Sequence, residues 1–273
     1  ANNKLGYLIS ASVNQHDFGS DNVEGEWDYE VESPLTEEDI EVDPYMSEMD
    51  IRTYLVKRIR RSVQANLDYQ FNPNHTLVLR GIYNWRDDFE NRYRTTWEDL
   101  EPVFEDGTEN IVGWEGVAVR ESKGGAHDRA DNRRLEDQRI INTSLSGDHL
   151  FGKLKVDWTA SYSKASEERL QERYIAYALE DAIALNTDFN DTEFPFIGAV
   201  NPEDLALGNW ELDELTEENQ YTEEEDINAR LDFSYPVALS LGKGNVDFGV
   251  RARLKSKFRE NNFFEFEPLS GLE

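Results

Sequence analysis

The sequence predicts an all-β fold: a partial transmembrane antiparallel β-barrel of about seven long strands, with short periplasmic turns and long extracellular loops. Three observations predict it. Apolar and polar residues alternate with a period of two in several separate stretches, so one face of each strand is apolar and the other polar. The connections between those stretches are short at one end and long at the other, and each apolar stripe matches the lipid-facing band of a barrel in height.

The first stretch, LGYLISASV, places Leu5, Tyr7, Ile9, Ala11 and Val13 on one face. Residues 62–71 place Val63, Ala65, Leu67, Tyr69 and Phe71 opposite Ser62, Gln64, Asn66, Asp68 and Gln70. After the interruption Asn72, Pro73, Asn74 and His75, the apolar face continues through Leu77, Leu79, Gly81, Tyr83 and Trp85, with Val78 and Ile82 as exceptions on the polar side. That pattern is a hairpin. A weaker strand holds Ile141, Thr143 and Leu145, and the next carries Leu154, Val156, Trp158, Ala160 and Tyr162. The last two set Ile227, Ala229, Leu231, Phe233 and Tyr235, then Val246, Phe248, Val250, Ala252 and Leu254, against polar neighbours.

Residues 72–75, 147–152 and 236–244 read as short turns, and residues 19–51, 98–130 and 176–220 as long loops. Long structureless loops are rare in a compact domain, and three on one edge need a reason. Outer-membrane barrels supply one. Five same-face residues span eight rises of about 3.3 Å, roughly 26 Å, and a barrel tilt reduces this to about 20 Å, near the ~25 Å apolar band. Tyr69 and Phe71 near the short turn, and Tyr83 and Trp85 at the far end, fall where two aromatic girdles are expected.

Composition fits. Only 38% of the 273 residues are hydrophobic, mean hydropathy is −0.73, and no apolar run approaches the length of a membrane-spanning helix. The absence of cysteine fits an oxidising envelope compartment. The alternation begins at Leu5 with no initiator Met or signal peptide ahead of it, so the expectation is a segment of a longer chain. Of the net charge of −29, two blocks carry all: residues 19–51 hold 13 acids and residues 176–226 hold 16, with no Lys or Arg in either. These read as acidic extracellular loops, and they argue against nucleic acid as a partner. Residues 166–185 fit helical spacing at Leu170, Tyr174, Ala178 and Ala182, and the expectation there is a strand extension running into a short loop helix.

Taken together, KLGYLISASVNQHDFGSDN, ANLDYQFNPNHTLVLRGIYNW, GKLKVDWTASYSKASEER and DFNDTEFPFI resemble the barrel of a TonB-dependent outer-membrane receptor. The resemblance is one of strand texture and order and covers nearly the whole chain. It implies a roughly 22-stranded barrel around a plug, located in the outer membrane of a Gram-negative bacterium. It also implies TonB-energised uptake of a scarce nutrient such as a metal chelate, cobalamin or an oligosaccharide. Plug, TonB box and terminal strand are not in this sequence, so the resemblance places residues 1–273 in the middle of the barrel. The implied partners are outer-membrane lipid and lipopolysaccharide, the plug and TonB through the rest of the chain, and a small nutrient ligand.

No catalytic motif is present, neither H-E-x-x-H, G-x-S-x-G nor a P-loop, so no enzyme activity and no cofactor are expected. The histidines, His16, His75, His127 and His149, are far apart, which speaks against a metal site. Arg80, Arg86, Arg251, Arg253 and Lys255 alternate with apolar residues and are expected to face the lumen, against plug or water. Arg92, Arg94, Arg120, Lys123, Arg129, Arg133 and Arg134 form a basic interval that serves an anionic ligand or lipopolysaccharide phosphate, or pairs with the acidic loops; pairing is favoured. Trp97, Trp114 and Trp210 are candidates to stack on a ligand ring, with Arg92 and Arg94 beside them. Two other classes remain in view: a soluble β-sandwich binding or adhesin module, and a barrel hydrolase using acidic loop residues.

Overall fold

A computed structural model describes residues 4–239 and 242–267. These form one antiparallel sheet of ten strands: β1 (Leu5–Glu32), β2 (Asp39–Asn72), β3 (His75–Phe104), β4 (Ile111–Gly125), β5 (Arg134–Phe151), β6 (Leu154–Leu179), β7 (Ile183–Asp188), β8 (Phe196–Ala199), β9 (Trp210–Leu239) and β10 (Gly242–Glu265). Ten replaces the expected seven because β4, β7 and β8 lie inside segments read as loops. The acidic segment 19–51 is corrected likewise: it is the upper arms of β1 and β2 around a turn at 33–38. Residues 166–185 are strand up to Leu179 and again from Ile183, with no helix between. The expected turn at 147–152 narrows to Gly152 and Lys153, with Gly152 at φ 65, a conformation glycine adopts without steric cost. The turn expected over 236–244 falls partly outside the described residues.

The pairing is a meander. β1, β2, β3, β5, β6, β9 and β10 follow one another across the sheet, and these seven contain the seven predicted stretches. β3 pairs with β5 over His75–Glu90 and with β4 over Arg92–Phe104, and β6 likewise pairs with both. Thus β4 and β5 fill one position of the sheet, interrupted by an excursion at 126–133. Gly125 makes room for it: a Cβ there would lie 2.4 Å from the Arg133 carbonyl oxygen. Gly125→Ala is therefore expected to lower stability by about 1 to 3 kcal/mol. Gly81→Ala, with nothing within 4 Å of its added Cβ, should change it by less than about 0.5 kcal/mol in the same urea titration.

The register fixes the two faces. Leu5, Tyr7, Ile9 and Ala11 pair with Tyr69, Leu67, Ala65 and Val63, which pair in turn with Leu77, Leu79, Gly81 and Tyr83. Tyr83, Gly81 and Leu79 meet Ile141, Thr143 and Leu145, and the row continues from Ala160 to Ala229 to Ala252. Every predicted apolar face therefore joins one continuous surface. It is not packed: Val63 is 51% exposed, Leu67 43%, Leu79 45% and Leu254 70%.

The same face changes character along the strands. One residue pair beyond Val63 and Tyr83 it carries Arg61, Trp85 and Arg139. Twelve residues farther along β2 and β3, roughly 40 Å, it carries Met49 and Trp97, which are buried with Leu100, Ala118, Leu179, Leu185 and Ile197. Beyond Leu179, β7 takes the place of β6 beside β4 and β8 pairs with β7, which supplies this distal core. One face is thus bare and apolar near the short turns, ionic around Trp85, apolar and still exposed at Leu55, Ile51 and Tyr93, and packed at the far end. β1 pairs only with β2, and β10 only with β9, so among the described residues both are open edges.

Candidate functional site

The opposite face is mainly polar, with Phe18, Tyr54, Val56, Val78 and Ile82 set among its charges. Arg58 donates from Nε to Asp88 Oδ1 at 2.6 Å, Arg86 reaches Glu136 at 3.0 Å, and Arg169 reaches the same carboxylate at 3.1 Å. Farther up, Arg92 and Arg94 both hold Glu121, and Arg52 joins Asp50 to Glu24. Between these groups lies Glu172, whose carboxylate is 2.9 Å from Lys123 Nζ and 3.0 Å from Arg134 Nε and accepts from Tyr174 Oη at 3.0 Å. The Arg134 Nε is not aligned to donate to it, so that contact is Coulombic. Cations and carboxylates alternate across β1 to β6 in near balance.

Burial and pairing set the charges in this lattice. Lys123 is pushed down by burial, despite Glu172 beside it. For Glu172, burial works upward but Arg134 and Lys123 outweigh it, so its carboxyl is held below the ordinary carboxylate range. Bidentate and shared guanidinium contacts of this kind fix side chains in one geometry.

Each predicted residue can now be placed. Arg92 and Arg94 are bound to Glu121, so they are neutralised within the sheet. Their shared partner Glu121 comes from β4, and Arg94 also lies 3.8 Å from Asp50 of the acidic segment 19–51. Arg86 pairs with Asp88 and Glu136, Arg253 with Asp226, and Lys255 with Glu224 at 2.7 Å, while Arg251 donates to Asn228 at 3.4 Å. Arg80 stands opposite Asn66 and Ser144 on the same polar face. Trp97 lies in the distal core, 6% exposed, and offers no ring face to a ligand. Trp210 holds Arg120 over its ring at 4.8 Å.

Trp114 has a different setting. Its ring stacks on Tyr45 at 4.4 Å and meets Phe189 edge-on at 6.2 Å, and Phe189 meets Trp27 edge-on at 6.1 Å. With Asp43, Thr187, Asn190 and Thr192 these rings line an open cleft of about 770 Å³ at the distal end. Burial and the nearby Asp28 carboxylate push the Tyr45 phenol up, keeping it protonated. The lining has no cation. Sequence reasoning found Trp114 but missed Trp27, Tyr45 and Phe189; for Trp27 a signal was present, since Val23, Trp27, Tyr29 and Val31 alternate with acids, but the acid content was read as loop.

Two histidines expected to lie apart are direct register partners: His75 and His149 face each other with Nδ1 atoms 3.1 Å apart. His149 Nε2 accepts from Trp158 Nε1 at 3.0 Å. In the neutral ring the proton is then on Nδ1, so no lone pair there is available for a metal.

No family model, curated protein or solved structure matches this chain. The physical content of the site is therefore a balanced ion lattice on one face, a bare apolar band on the other, and an aromatic cleft at the end away from the short turns.

Proposed function

We propose that this chain is wall and outer rim of an outer-membrane active transporter of the TonB-dependent receptor type, embedded in lipid and performing no covalent chemistry. The observation that carries the reading is the division of one sheet face. Its distal third is packed, so the chain is able to bury apolar residues, yet the band from Val63 to Phe71 and its neighbours is left bare. A bare band about 20 Å tall after strand tilt, with the arginines around Trp85 on its distal side, is close to the ~25 Å that a lipid bilayer covers. The polar face then lines the lumen, where the lattice presents a rigid, nearly neutral wall to a plug.

The aromatic cleft is the ligand contact in this reading. Ring faces of Trp27 and Trp114 stack on the C–H face of a sugar, and Asp43, Asn190 and Thr187 bond its hydroxyls. The absence of cations in the lining, together with the surrounding acids, favours a neutral oligosaccharide over an anionic chelate.

The reading is tested by expressing residues 1–273 alone. In buffer the open edges of β1 and β10 and the bare band should drive association, since each exposed Leu, Val or Phe forgoes roughly 1.5 to 3 kcal/mol of burial. A monodisperse monomer with a cooperative β-type melt would contradict it and favour a soluble module. The transporter part is tested on the parent open reading frame, which should add a plug and about fifteen strands; its deletion should abolish energised oligosaccharide uptake.

A further inference from the structure

We propose that the guanidinium cluster around Trp85 is a binding site for the phosphate headgroup of a lipid in the surrounding bilayer; the inference rests on the membrane reading above. The Arg61, Arg139 and Arg129 guanidinium carbons lie 4.5, 5.1 and 6.0 Å from the Trp85 ring centroid. Two carboxylates hold them there. Asp87 accepts from Arg61 Nη1 at 2.8 Å, Trp85 Nε1 at 2.9 Å and Arg129 Nη2 at 3.3 Å. Asp137 accepts from Arg129 Nη1 at 2.9 Å and from Arg139 Nε and Nη2 at 3.0 and 2.7 Å.

The arrangement is layered. The two Asp side chains are 5% and 3% exposed, whereas the three Arg side chains are 36 to 44% exposed. Negative charge is at the bottom and positive charge on top, and Glu168, the register partner of Asp137, balances the third cation from the side. Arg61 Nε and Nη2 and Arg139 Nη1 donate to no acceptor among the described residues, so planar N–H donors point outward in the geometry that suits phosphate oxygens.

Position decides the ligand. One residue pair away on the same face, about 7 Å, begin Val63, Tyr83 and Ile141, all exposed. A molecule held at the arginines by a phosphate lays its tail directly on the bare band. A soluble anion has no such second hold, and it must approach a chain of net charge −29 whose field repels it. A headgroup already confined to the membrane surface does not pay that approach.

The test incorporates the full-length parent protein that contains this chain into nanodiscs of phosphatidylcholine with a minor fraction of phosphatidic acid, a phosphomonoester, and measures which lipid stays with the protein on extraction. Several-fold enrichment of phosphatidic acid is expected, with circular dichroism confirming the fold of each variant. Arg61→Gln/Arg139→Gln should lose the enrichment and Arg61→Lys/Arg139→Lys should keep part of it. Arg230→Gln/Lys155→Gln, which removes equal charge from the polar face, should keep all of it, and millimolar inorganic phosphate should not displace the lipid. No enrichment, equal loss in both Gln pairs, or displacement by inorganic phosphate would overturn the inference while leaving the membrane reading intact. Failure of the full-length parent protein to enter the disc would overturn both.

Discussion

Glu172→Gln should release the distal half of the sheet before the rest unfolds, at a cost of about 3 to 5 kcal/mol. The Glu172 side chain is 3% exposed between Lys123 and Arg134, themselves 10% and 14% exposed. The amide keeps the shape of the carboxylate but leaves Lys123 without its partner in a poorly solvated wall, while Arg134 keeps Glu90 and Glu136. The desolvation penalty of the Lys123 ammonium then appears. Replacing Lys123 and Glu172 together by Met should cost much less, because no unpaired charge remains. Hydrogen exchange over 111–125 and 172–179 reads the effect locally.

The same residue gives a pH signature. Its carboxyl is held below the ordinary range when folded, so its contribution is present above the unfolded carboxylate pKa and is lost as pH falls through the lower folded value. The gap between the native chain and Glu172→Gln should therefore be widest near neutral pH and close in acid. Protection that stays equal in both chains at neutral pH would mean the pair contributes nothing.

Leu67→Arg is the second large effect, and its size depends on the medium. In a bilayer a charge on the lipid side near the midplane costs about 2 to 4 kcal/mol. Leu67 is already 43% exposed, so in a water-facing sheet the same change should stay within about 0.5 kcal/mol. Gln64→Arg, on the opposite face of the same strand, is the control and should be near neutral. Urea titration of the chain in lipid vesicles separates the three.

The parts of the fold that were legible are those where one face is apolar and the other polar. Val63 to Phe71, the turn at Pro73 and Asn74, and the faces of Arg251 and Arg253 follow from period two alone, because a slip by one residue would exchange the faces. The distal arms were misread, even over 23–32, where Val23, Trp27, Tyr29 and Val31 alternate with acids. Glu and Asp are depleted in strands and read as loop, but here they are held by cross-strand pairs such as Arg52 with Glu24 and Arg173 with Glu217. Residues 166–185 imitated a helix because of a bulge: Arg169 pairs with Gln220 and Glu172 with Glu218, and Gln171 at φ 50 absorbs the extra residue. The alternation changes phase there, and a phase change in a period of two passes for a longer period.

The candidate site divides in the same way. Arg92 and Arg94 were visible as a basic interval, but Glu121 and Glu172 come from strands whose pairing no local pattern reveals. Trp27 and Tyr45 meet across the β1–β2 hairpin, and Phe189 joins them from a segment far away in sequence. The cluster around Trp85 was half visible, since Trp85 stood out as a girdle residue while Arg61 and Asp137 carried no signal of their own.

The claim that the bare face meets lipid is tested most directly by nitroxide labels placed one at a time at residues 63 to 71 of the chain in lipid bilayers. Collision rates with oxygen, which concentrates in the hydrocarbon, and with a water-soluble nickel chelate should alternate with a period of two. Val63, Ala65, Leu67 and Tyr69 should favour oxygen, and Gln64, Asn66, Asp68 and Gln70 the chelate. Chelate access that is equal on both faces, or oxygen preference on the even-numbered face, would contradict the account.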